Sequence, residues 1–295
     1  MNTPSCDATI QDAISFAVTQ FDHPASVLVG FSGGLDSVVL LDALHRLQTP
    51  HIVRIIAAHV HHGISPHADD WLSFCETFCA ERDIPFLFRK IELRRIPQSS
   101  LEEEARNARR AALRSMAIEA QADTIALAHH QDDQVEALLL QLLRGAGPHG
   151  LAAMASWQPR YDANIALWRP FLILPRQKLA EYAAVRRLRW IEDESNGDIG
   201  FKRNYLRHRV FPVIAQAFPA YRKTLARAAL LQADVASMID QSLPASIIEF
   251  PSDFPISLDD FTRLPDDLAR HTLRRAIRNA GLRAPNYRHL TEMTR

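Results

Sequence analysis

The fold is decided by the stretch Ser26-Val-Leu-Val-Gly-Phe-Ser-Gly-Gly-Leu-Asp-Ser37, in which an apolar run passes directly into a turn rich in glycine and hydroxyl groups. Val27 to Phe31 have the short, continuous apolar character of a buried parallel strand. From Val38 onward, apolar residues recur at the spacing of one helical face. The stretch therefore predicts a strand, a tight turn and a helix in immediate succession.

The turn from Ser32 to Ser37 has the chemistry of a phosphate cradle. Gly33 and Gly34 allow the backbone to approach a ligand closely, so that N–H groups at the helix start, such as that of Leu35, can point at phosphate oxygens. Ser32 and Ser37 add hydroxyl donors. A glycine turn without a ligand is the simpler alternative, but the complete hexapeptide behind a buried strand favours nucleotide binding.

Asp36 gives this turn a second property, because a carboxylate on its own would repel phosphate. Its presence favours a Mg²⁺ ion that bridges Asp36 to the nucleotide. A Walker-type loop is excluded, since no lysine stands next to the turn. Ser-Gly-Gly-x-Asp-Ser instead resembles the PP-loop of the ATP pyrophosphatases, and this resemblance implies cleavage of ATP between its α and β phosphates.

Strands and helices alternate through about residue 145. Candidate strands lie at residues 27–31, 53–60, 85–91 and 124–128, and candidate helices at residues 36–47, 67–82, 101–120 and 131–144. The alternation predicts an α/β fold, with a parallel sheet flanked by helices. Ligands of such sheets bind beyond the carboxyl ends of the strands, where the polar clusters of this sequence also fall.

A histidine cluster, His59-Val-His-His-Gly63, follows the second strand. A metal-binding tract is one explanation, but the spacing matches no zinc site and no cysteine completes one. The position at a strand end favours a nucleotide pocket to which His59 contributes an imidazole.

A third cluster, His129-His-Gln-Asp-Asp-Gln-Val-Glu136, follows the fourth strand and opens a helix. Carboxylates at a helix start are commonly plain caps, which is the simpler explanation for Asp132 or Asp133 alone. Together, His129, Asp133 and Glu136 would repel ATP unless they bound Mg²⁺ or a cationic second substrate. An amine would suit them.

The helix at residues 101–120 leaves two arrangements open. Glu102 and Arg106 are four residues apart and can form a surface ion pair. Arg106 and Arg109 can instead face a triphosphate or the phosphates of RNA.

The formal net charge of zero conceals an uneven distribution. Between Phe201 and Arg227 the chain has no acidic residue, and its basic residues are Lys202, Arg203, Arg207, Arg209, Arg222, Lys223 and Arg227. A solvated helix usually mixes signs, so this run indicates a polyanionic partner. RNA is favoured over a membrane, because no amphipathic anchor accompanies the run.

Length and composition predict a globular protein, with 295 residues of which 47% are hydrophobic. No apolar run approaches the length of a membrane span, and the N-terminus lacks the regions of a secretion signal, so we expect a cytoplasmic protein. Cys6, Cys75 and Cys79 form neither a disulfide framework nor a metal-binding pattern.

We expect three parts along the chain. Residues 1–200 form the ATP-binding catalytic domain, residues 201–235 a basic helical connector, and residues 236–295 a small helical domain. The interior of the last part is predicted to contain Leu264, Leu268, Leu273, Ile277 and Leu282.

Further motifs follow one another between residues 26 and 210. They are His59-Val-His-His-Gly63, Glu102-x-x-Ala-Arg106-x-x-Arg109, His129-His-x-Asp-Asp-Gln-x-Glu136, Arg144-Gly-Ala-Gly147, Arg169-Pro170, Glu192-Asp-x-Ser-Asn196 and Arg203-Asn-x-x-Arg207. In this order they are similar to the motifs of the tRNA(Ile)-lysidine synthetase family. No single motif is decisive, and together they are highly specific.

The resemblance implies a two-step reaction on cytidine at the first anticodon position of a tRNA(Ile) with anticodon CAU. The cytosine C2 oxygen attacks the ATP α-phosphate and pyrophosphate leaves. The ε-amino group of free lysine then displaces AMP. ATP and Mg²⁺ are the implied cofactors, tRNA(Ile) and L-lysine the implied partners, and the assembly state stays open, a homodimer being one alternative.

The resemblance also implies roles for particular residues. The loop from Ser32 to Ser37 would hold the triphosphate, and Asp36 with Mg²⁺ would offset charge on the leaving pyrophosphate, assisted by basic side chains such as Arg109. Asp133 and Glu136 would hold the ammonium groups of lysine.

His129 would handle or position the proton that the attacking amine must lose. Arg203 and Arg207 would reach the lysine carboxylate or the tRNA, since bidentate guanidinium geometry suits either ligand. Many family members carry a further C-terminal domain. Because the helical pattern continues up to Arg295, we expect either a short form or a chain that lacks that domain.

Three other functions are compatible with the loop. Sulfur transferases that resemble the 2-thiocytidine enzymes carry Cys-x-x-Cys pairs for an iron–sulfur cluster, which this sequence lacks. Amidotransferases such as asparagine synthetase need an N-terminal cysteine nucleophile, which Asn2 and Thr3 do not provide. A module that binds ATP without turnover is the third alternative.

Overall fold

The computed structural model describes residues 6–18, 25–47, 51–61, 63, 65–91, 101–162, 165–243, 258–279, 282 and 285–294. Its sheet consists of β1 (Ala25–Gly30), β2 (Ile52–His61), β3 (Phe86–Lys90), β4 (Thr124–Ala126), β5 (Trp157–Asp162) and β6 (Ile165–Trp168). The strand order is β3-β2-β1-β4-β6-β5. Neighbouring strands are parallel except β5 and β6, which pair antiparallel.

Helices precede, connect and follow these strands. They are α1 (Cys6–Val18), α2 (Leu35–Arg46), α3 (Ala68–Ala80), α4 (Leu101–Glu119), α5 (Gln131–Leu142), α6 (Pro148–Leu151), α7 (Arg176–Val185), α8 (Lys202–Tyr205), a π-helical turn (Leu206–Val210), α9 (Phe211–Ala217), α10 (Tyr221–Gln241), α11 (Leu258–Thr262), α12 (Asp266–Asn279) and α13 (Tyr287–Met293). Among the described residues, no helix combines the length and apolar character needed to cross a bilayer.

The predicted α/β fold is confirmed, and all four predicted strands and four predicted helices are present with slightly shifted ends. The hairpin of β5 and β6 is absent from the prediction, because β6 has only four residues and β5 contains Pro159. An edge strand tolerates proline, since some of its N–H groups face away from the sheet. β5 lies at such an edge.

Both faces of the sheet are apolar, which explains the continuous apolar run of β1. Val27 and Val29 pack in a core with residues of α1, α2, α3 and α7, including Leu179. Leu28 packs in a second core with residues of α4, including Met116. Because successive side chains of a strand alternate between faces, a strand covered by helices on both sides must be apolar throughout.

A third apolar cluster consists of Val135, Leu206, Phe211 and Tyr221. Phe211 and Tyr221 stack with their ring centroids 5.4 Å apart. The cluster packs α5 against the helical segments that follow the sheet, including the π-helical turn that carries Arg207. Turns of this type are frequent at functional sites.

The chain divides into two compact units, residues 1–145 with 153–229 and residues 146–152 with 230–295. The division at residues 200 and 235 expected from the sequence stays a prediction. In the second unit, Leu290 is buried, but Leu282 is 65% exposed, so its predicted position in the interior is wrong. The reason is that α12 ends at Asn279, before the helical periodicity that predicted an inner position for Leu282 could reach it. The remaining residues predicted for this interior are partly buried: Leu264, Leu268, Leu273 and Ile277.

Candidate functional site

The loop predicted to bind phosphate lies between the end of β1 and the start of α2. Gly34 is the N-cap of α2, with an extended backbone and no side-chain cap. The first N–H groups of a helix have no acceptor within it, so those of Leu35 and Asp36 are donors at the carboxyl edge of the sheet.

Gly33 is required by both conformation and space. Its φ is +81°, in the region that favours glycine. A Cβ atom there would lie 2.6 Å from Cδ1 of Ile191 and 3.1 Å from Sγ of Cys75. The Ile191 N–H donates to the Gly33 carbonyl at 2.9 Å, so the loop is held closely against the segment before the 3₁₀ turn at Glu194–Gly197.

The two serines of the loop have different surroundings. Ser37 is buried, and its hydroxyl donates to the Gly34 carbonyl at 2.9 Å while accepting the Ser32 N–H at 3.2 Å. The Ser32 hydroxyl is 3.1 Å from that of Ser37 and belongs to an exposed residue. Ser37 therefore shapes the turn from inside, whereas Ser32 is the exposed serine, and its Oγ accepts the Gly34 N–H at 3.4 Å.

His59 lies at the end of β2, beside the loop. Its Nδ1 is 2.9 Å from the carbonyl oxygen of Phe31, so the ring donates there and is held against the entry to the loop. His61, two residues on, has its Nε2 3.2 Å from Oδ1 of Asp69 on α3. His62 lies outside the described residues.

The start of α5 meets the loop through His130, a residue that the sequence analysis did not select. Nδ1 of His130 accepts the Asp133 N–H at 3.4 Å, and Asp133 Oδ2 accepts the His130 N–H at 3.0 Å. His130 is buried, with 2% of its surface exposed. Nε2 of its ring lies 3.6 Å from Oδ2 of Asp36. The available signal was the three-residue spacing of a capping box, although histidine is not its usual first member.

Asp36 is a carboxylate surrounded by cations. Burial would raise the pKa of Asp36, but His130, Arg176 and Arg207 together bring it below its usual value. Nε of Arg176 is 3.4 Å from Oδ1, a buried atom that makes no hydrogen bond with any described residue. An ionised, hard oxygen with unused lone pairs fits the preference of Mg²⁺, so Asp36 suits the metal role that the sequence predicts.

Glu136 is 1% exposed and uses one of its two oxygens. Its Oε1 accepts a hydrogen bond from Nε of Arg207 at 2.8 Å and forms an ion pair with Nη2 of the same side chain at 2.7 Å, whereas Oε2 is buried and has no hydrogen-bond partner among the described residues. Burial raises the pKa of Glu136, and Arg207 opposes that rise. A buried acceptor without a donor is costly, so Oε2 suits a cationic ligand.

His129 precedes the cap of α5, and its Nδ1 is buried without a hydrogen-bond partner in the part of the chain that the structure describes. Desolvation holds the pKa of His129 far below its usual value, and Asp133 opposes this only in part. The charges that lower it further are those of Arg169, Arg109 and Arg203. The ring is therefore neutral at physiological pH and can accept a hydrogen bond.

Arg109 belongs to a basic group beside His129. Desolvation, followed by the charges of Arg203 and Arg110, lowers the pKa of Arg109. Crowded positive charges of this kind are typical of a site for an anion. The side chain of Glu102 lies outside what the structure describes. The alternative ion pair between Glu102 and Arg106 therefore stays a prediction.

Asp132 connects two further arginines to α5. Its Oδ2 accepts the Arg176 N–H at 3.0 Å, and its Oδ1 pairs with Nε of Arg222. Arg207 and Arg222 of the basic run thus have acidic partners, which lie 71 and 90 residues away and cannot be inferred from local sequence. Other members of the run are exposed: Lys202, Arg209, Lys223 and Arg227.

The predicted site residues therefore fall into two groups at one edge of the sheet. The first is the loop Ser32–Ser37 with His59. The second is the start of α5, from His129 to Glu136, with its surrounding arginines: Arg109, Arg203 and Arg207. The buried contact between His130 and Asp36 joins the groups.

Comparison with known proteins assigns this arrangement to a family. A protein-family model described as the PP-loop domain matches residues 7–214, more than half of the chain. The chain belongs to the PP-loop domain family. A second model, described as the TilS substrate binding domain, matches residues 256–295 of this PP-loop protein.

Curated relatives of this PP-loop protein include two named tRNA(Ile)-lysidine synthase. The one from Chromobacterium violaceum is 46% identical over 215 residues, covering 72% of this chain and 48% of that protein. The one from Azoarcus sp. is 42% identical over 274 residues, covering 92% and 60%. The chain thus spans about half to three-fifths of the length of these relatives.

A solved structure shares the fold of the PP-loop domain. The U34-tRNA thiolase NcsA from Methanococcus maripaludis, determined with its 4Fe-4S cluster, aligns with a TM-score of 0.64 at 18% sequence identity. The alignment covers 77% of this chain and 80% of that one. At this identity the likeness shows the fold alone.

Replacing Gly33 by alanine tests the close packing of the loop. Gly145 is the matched control, because its φ is +68° but a Cβ there meets no atom within 4 Å. We expect Gly145→Ala to lower the free energy of unfolding by about 1 kcal/mol and Gly33→Ala to lower it by at least roughly 1 kcal/mol more. Urea denaturation of both variants measures this, and equal losses would refute the steric argument.

Proposed function

We propose that this chain carries the catalytic part of a tRNA(Ile)-lysidine synthase. It transfers an adenylyl group from ATP to the C2 oxygen of cytidine at the first anticodon position of a tRNA(Ile) with anticodon CAU, and then replaces AMP by free L-lysine. The products are lysidine, AMP and pyrophosphate. Such an enzyme works in the cytoplasm.

The observation that carries the proposal is the carboxylate of Glu136. Glu136 lies on α5, whose start faces the phosphate loop through His130. One oxygen of this carboxylate pairs with Arg207, and the other is buried and has no hydrogen-bond partner among the described residues. ATP has no cationic group for this oxygen to bind. An ammonium group of a second substrate would satisfy it, and Asp133, one turn earlier on α5, would support the same positive charge.

The nucleotide end of the site consists of donors for an anion. The N–H groups at the start of α2 and the Ser32 hydroxyl hold phosphate oxygens, while His59 keeps the loop entry in position. Mg²⁺, when bound at Asp36, supplies positive charge against the developing pyrophosphate. Arg109 adds positive charge from α4.

In the first step, a bond forms between the cytosine C2 oxygen and the α-phosphorus, and the bond from that phosphorus to the β-phosphate oxygen breaks. In the second step, the lysine amine attacks C2 and the C2–O bond to AMP breaks. AMP leaves with the electron pair of that bond, and its phosphate takes the proton that the amine loses. His129, held neutral by its surroundings, accepts a hydrogen bond from the amine and positions its lone pair, while Arg203 and Arg207 face the lysine carboxylate or the RNA.

A tRNA sulfur transferase is the principal rival, and the cysteines argue against it. Cys75 and Cys79 are buried, and burial raises the pKa of Cys79 to about 12. A thiol with so high a pKa is a poor source of the thiolate that a cluster or a sulfur relay requires. The likeness to the thiolase structure, at 18% sequence identity, concerns the fold alone. The relative from Chromobacterium violaceum, at 46% identity, is named tRNA(Ile)-lysidine synthase.

Transfer of lysine into RNA tests the proposal. The chain is incubated with ATP, Mg²⁺, radiolabelled lysine and unmodified tRNA(Ile), in parallel with Asp36→Asn and with Asp234→Asn, a control at an exposed carboxylate of α10. We expect labelled RNA from the unchanged chain and the control, and a loss of at least about 100-fold for Asp36→Asn. Absence of lysine-dependent label, or label dependent on a sulfur donor, would reject the function.

Replacing Glu136 by glutamine tests the amine site. The amide keeps the shape but removes the charge, so we expect the KM for lysine to rise about tenfold or more while ATP binding is retained. Glu119→Gln is the matched control, since Glu119 pairs with Arg89 at 2.7 Å on the surface. An unchanged KM for lysine in a folded Glu136→Gln variant would contradict the assignment.

A further inference from the structure

Arg176 is a cation at the phosphate loop that the sequence motifs do not include. It is the first residue of α7, and Nε of its side chain lies 3.4 Å from Oδ1 of Asp36. Because Oδ1 makes no hydrogen bond within the described ranges, the contact with Arg176 is Coulombic, and the N–H groups of the guanidinium donate no hydrogen bond to Asp36.

The three cations that act on Asp36 differ in their freedom to move. His130 is buried and its Nδ1 is engaged in capping α5. Arg207 is held by a hydrogen bond from its Nε to Oε1 of Glu136 and by an ion pair between its Nη2 and the same oxygen. Arg176 is 51% exposed in its side chain and can change its rotamer without breaking a hydrogen bond to Asp36.

The backbone of Arg176 is fixed even though its side chain is exposed. Its N–H donates to Oδ2 of Asp132 at 3.0 Å, and Asp132 in turn pairs with Arg222. The start of α7 is thereby attached to the start of α5, beside the loop that presents phosphate donors. A backbone held in place together with an exposed guanidinium that is free to reorient is the arrangement expected of a residue that clamps a ligand.

We propose that Arg176 is a phosphate-binding residue of this site, whose guanidinium turns from Asp36 to the β- and γ-phosphate oxygens of bound ATP while Asp36 takes a divalent cation. The inference rests on the proposed function for its chemistry. When the bond from the α-phosphorus to the bridging oxygen breaks, the electron pair remains on the leaving pyrophosphate. The planar fork of Arg176 binds the oxygens that receive this charge.

The proposal predicts a selective effect on nucleotides that carry the leaving phosphates. Calorimetric titrations with ATP and with AMP, each with Mg²⁺ and without RNA or lysine, compare the full chain with Arg176→Gln and Arg176→Lys. Arg189→Gln is the matched control, because Arg189 is 85% exposed and lies 3.9 Å from Glu81. We expect Arg176→Gln to weaken ATP binding about tenfold or more and to leave AMP binding within about twofold of that of the unchanged chain.

Arg176→Lys should retain part of the affinity for ATP, since the charge remains and the bidentate fork is lost. Arg176→Gln should weaken the binding of inorganic pyrophosphate by a factor similar to that by which it weakens the binding of ATP. Equal losses for ATP and AMP would indicate that Arg176 only shapes the loop, and unchanged ATP binding would remove it from the site; either result overturns the inference.

These titrations contain no lysine and no RNA, so they separate the inference from the proposed function. If the unchanged chain transfers lysine but Arg176→Gln keeps the same ratio of ATP to AMP affinity, the phosphate-binding role of Arg176 is rejected and the proposed function stands. A selective loss of ATP binding in a chain that transfers no lysine would support the clamp and reject the function.

Discussion

Neutralisation of carboxylates at the carboxyl edge of the sheet is the constraint on which the rest of the site depends. Four acids are gathered there, and each faces at least one cationic side chain: Asp36 faces His130 and Arg176, Asp132 faces Arg222, and Asp133 and Glu136 face Arg207. A buried carboxylate without compensation would cost several kcal/mol. The helices that supply the cations must therefore pack onto the sheet edge for the acids to be tolerated.

With its carboxylates neutralised, the carboxyl edge of the sheet has one end that suits an anion and another that suits a cation. The loop end offers N–H donors to an anion, and the α5 end offers the free oxygen of Glu136 to a cation. His130 links them as a buried residue that caps α5 and faces Asp36. A reaction between an anionic nucleotide and an amine needs both ends within one site, and the contact of His130 at the start of α5 with Asp36 at the start of α2 provides that proximity.

The sequence predicts the architecture well, because the apolar periodicity of strands and helices and the glycines of the loop are both local signals. Apolar runs separated by helical periodicity identify β1 to β4 and their helices, and the glycines before Asp36 mark the loop. The β5–β6 hairpin escapes prediction, since a four-residue strand and an edge strand with Pro159 have no strong pattern. The exposure of Leu282 shows that helical periodicity fails beyond the end of a helix.

The partners within the site could not be predicted, because they join residues far apart in the chain. Arg207 and Glu136 are separated by 71 residues, and Arg222 and Asp132 by 90. Composition alone attributes the whole basic run to a polyanionic partner, whereas two of its arginines pair with α5. Arg176 has no local motif, and the capping-box spacing of His130 does not reveal its proximity to Asp36, so neither residue could be assigned to the loop from sequence.

The most direct measurement is a crystal structure of the chain with Mg²⁺ and an ATP analogue that cannot be cleaved between its α and β phosphates. The account predicts polyphosphate oxygens at the N–H groups that open α2, with the metal on Asp36 and the α-phosphorus facing the start of α5. Phosphates bound away from the Ser32–Ser37 loop, or a loop whose N–H groups contact no phosphate, would contradict it.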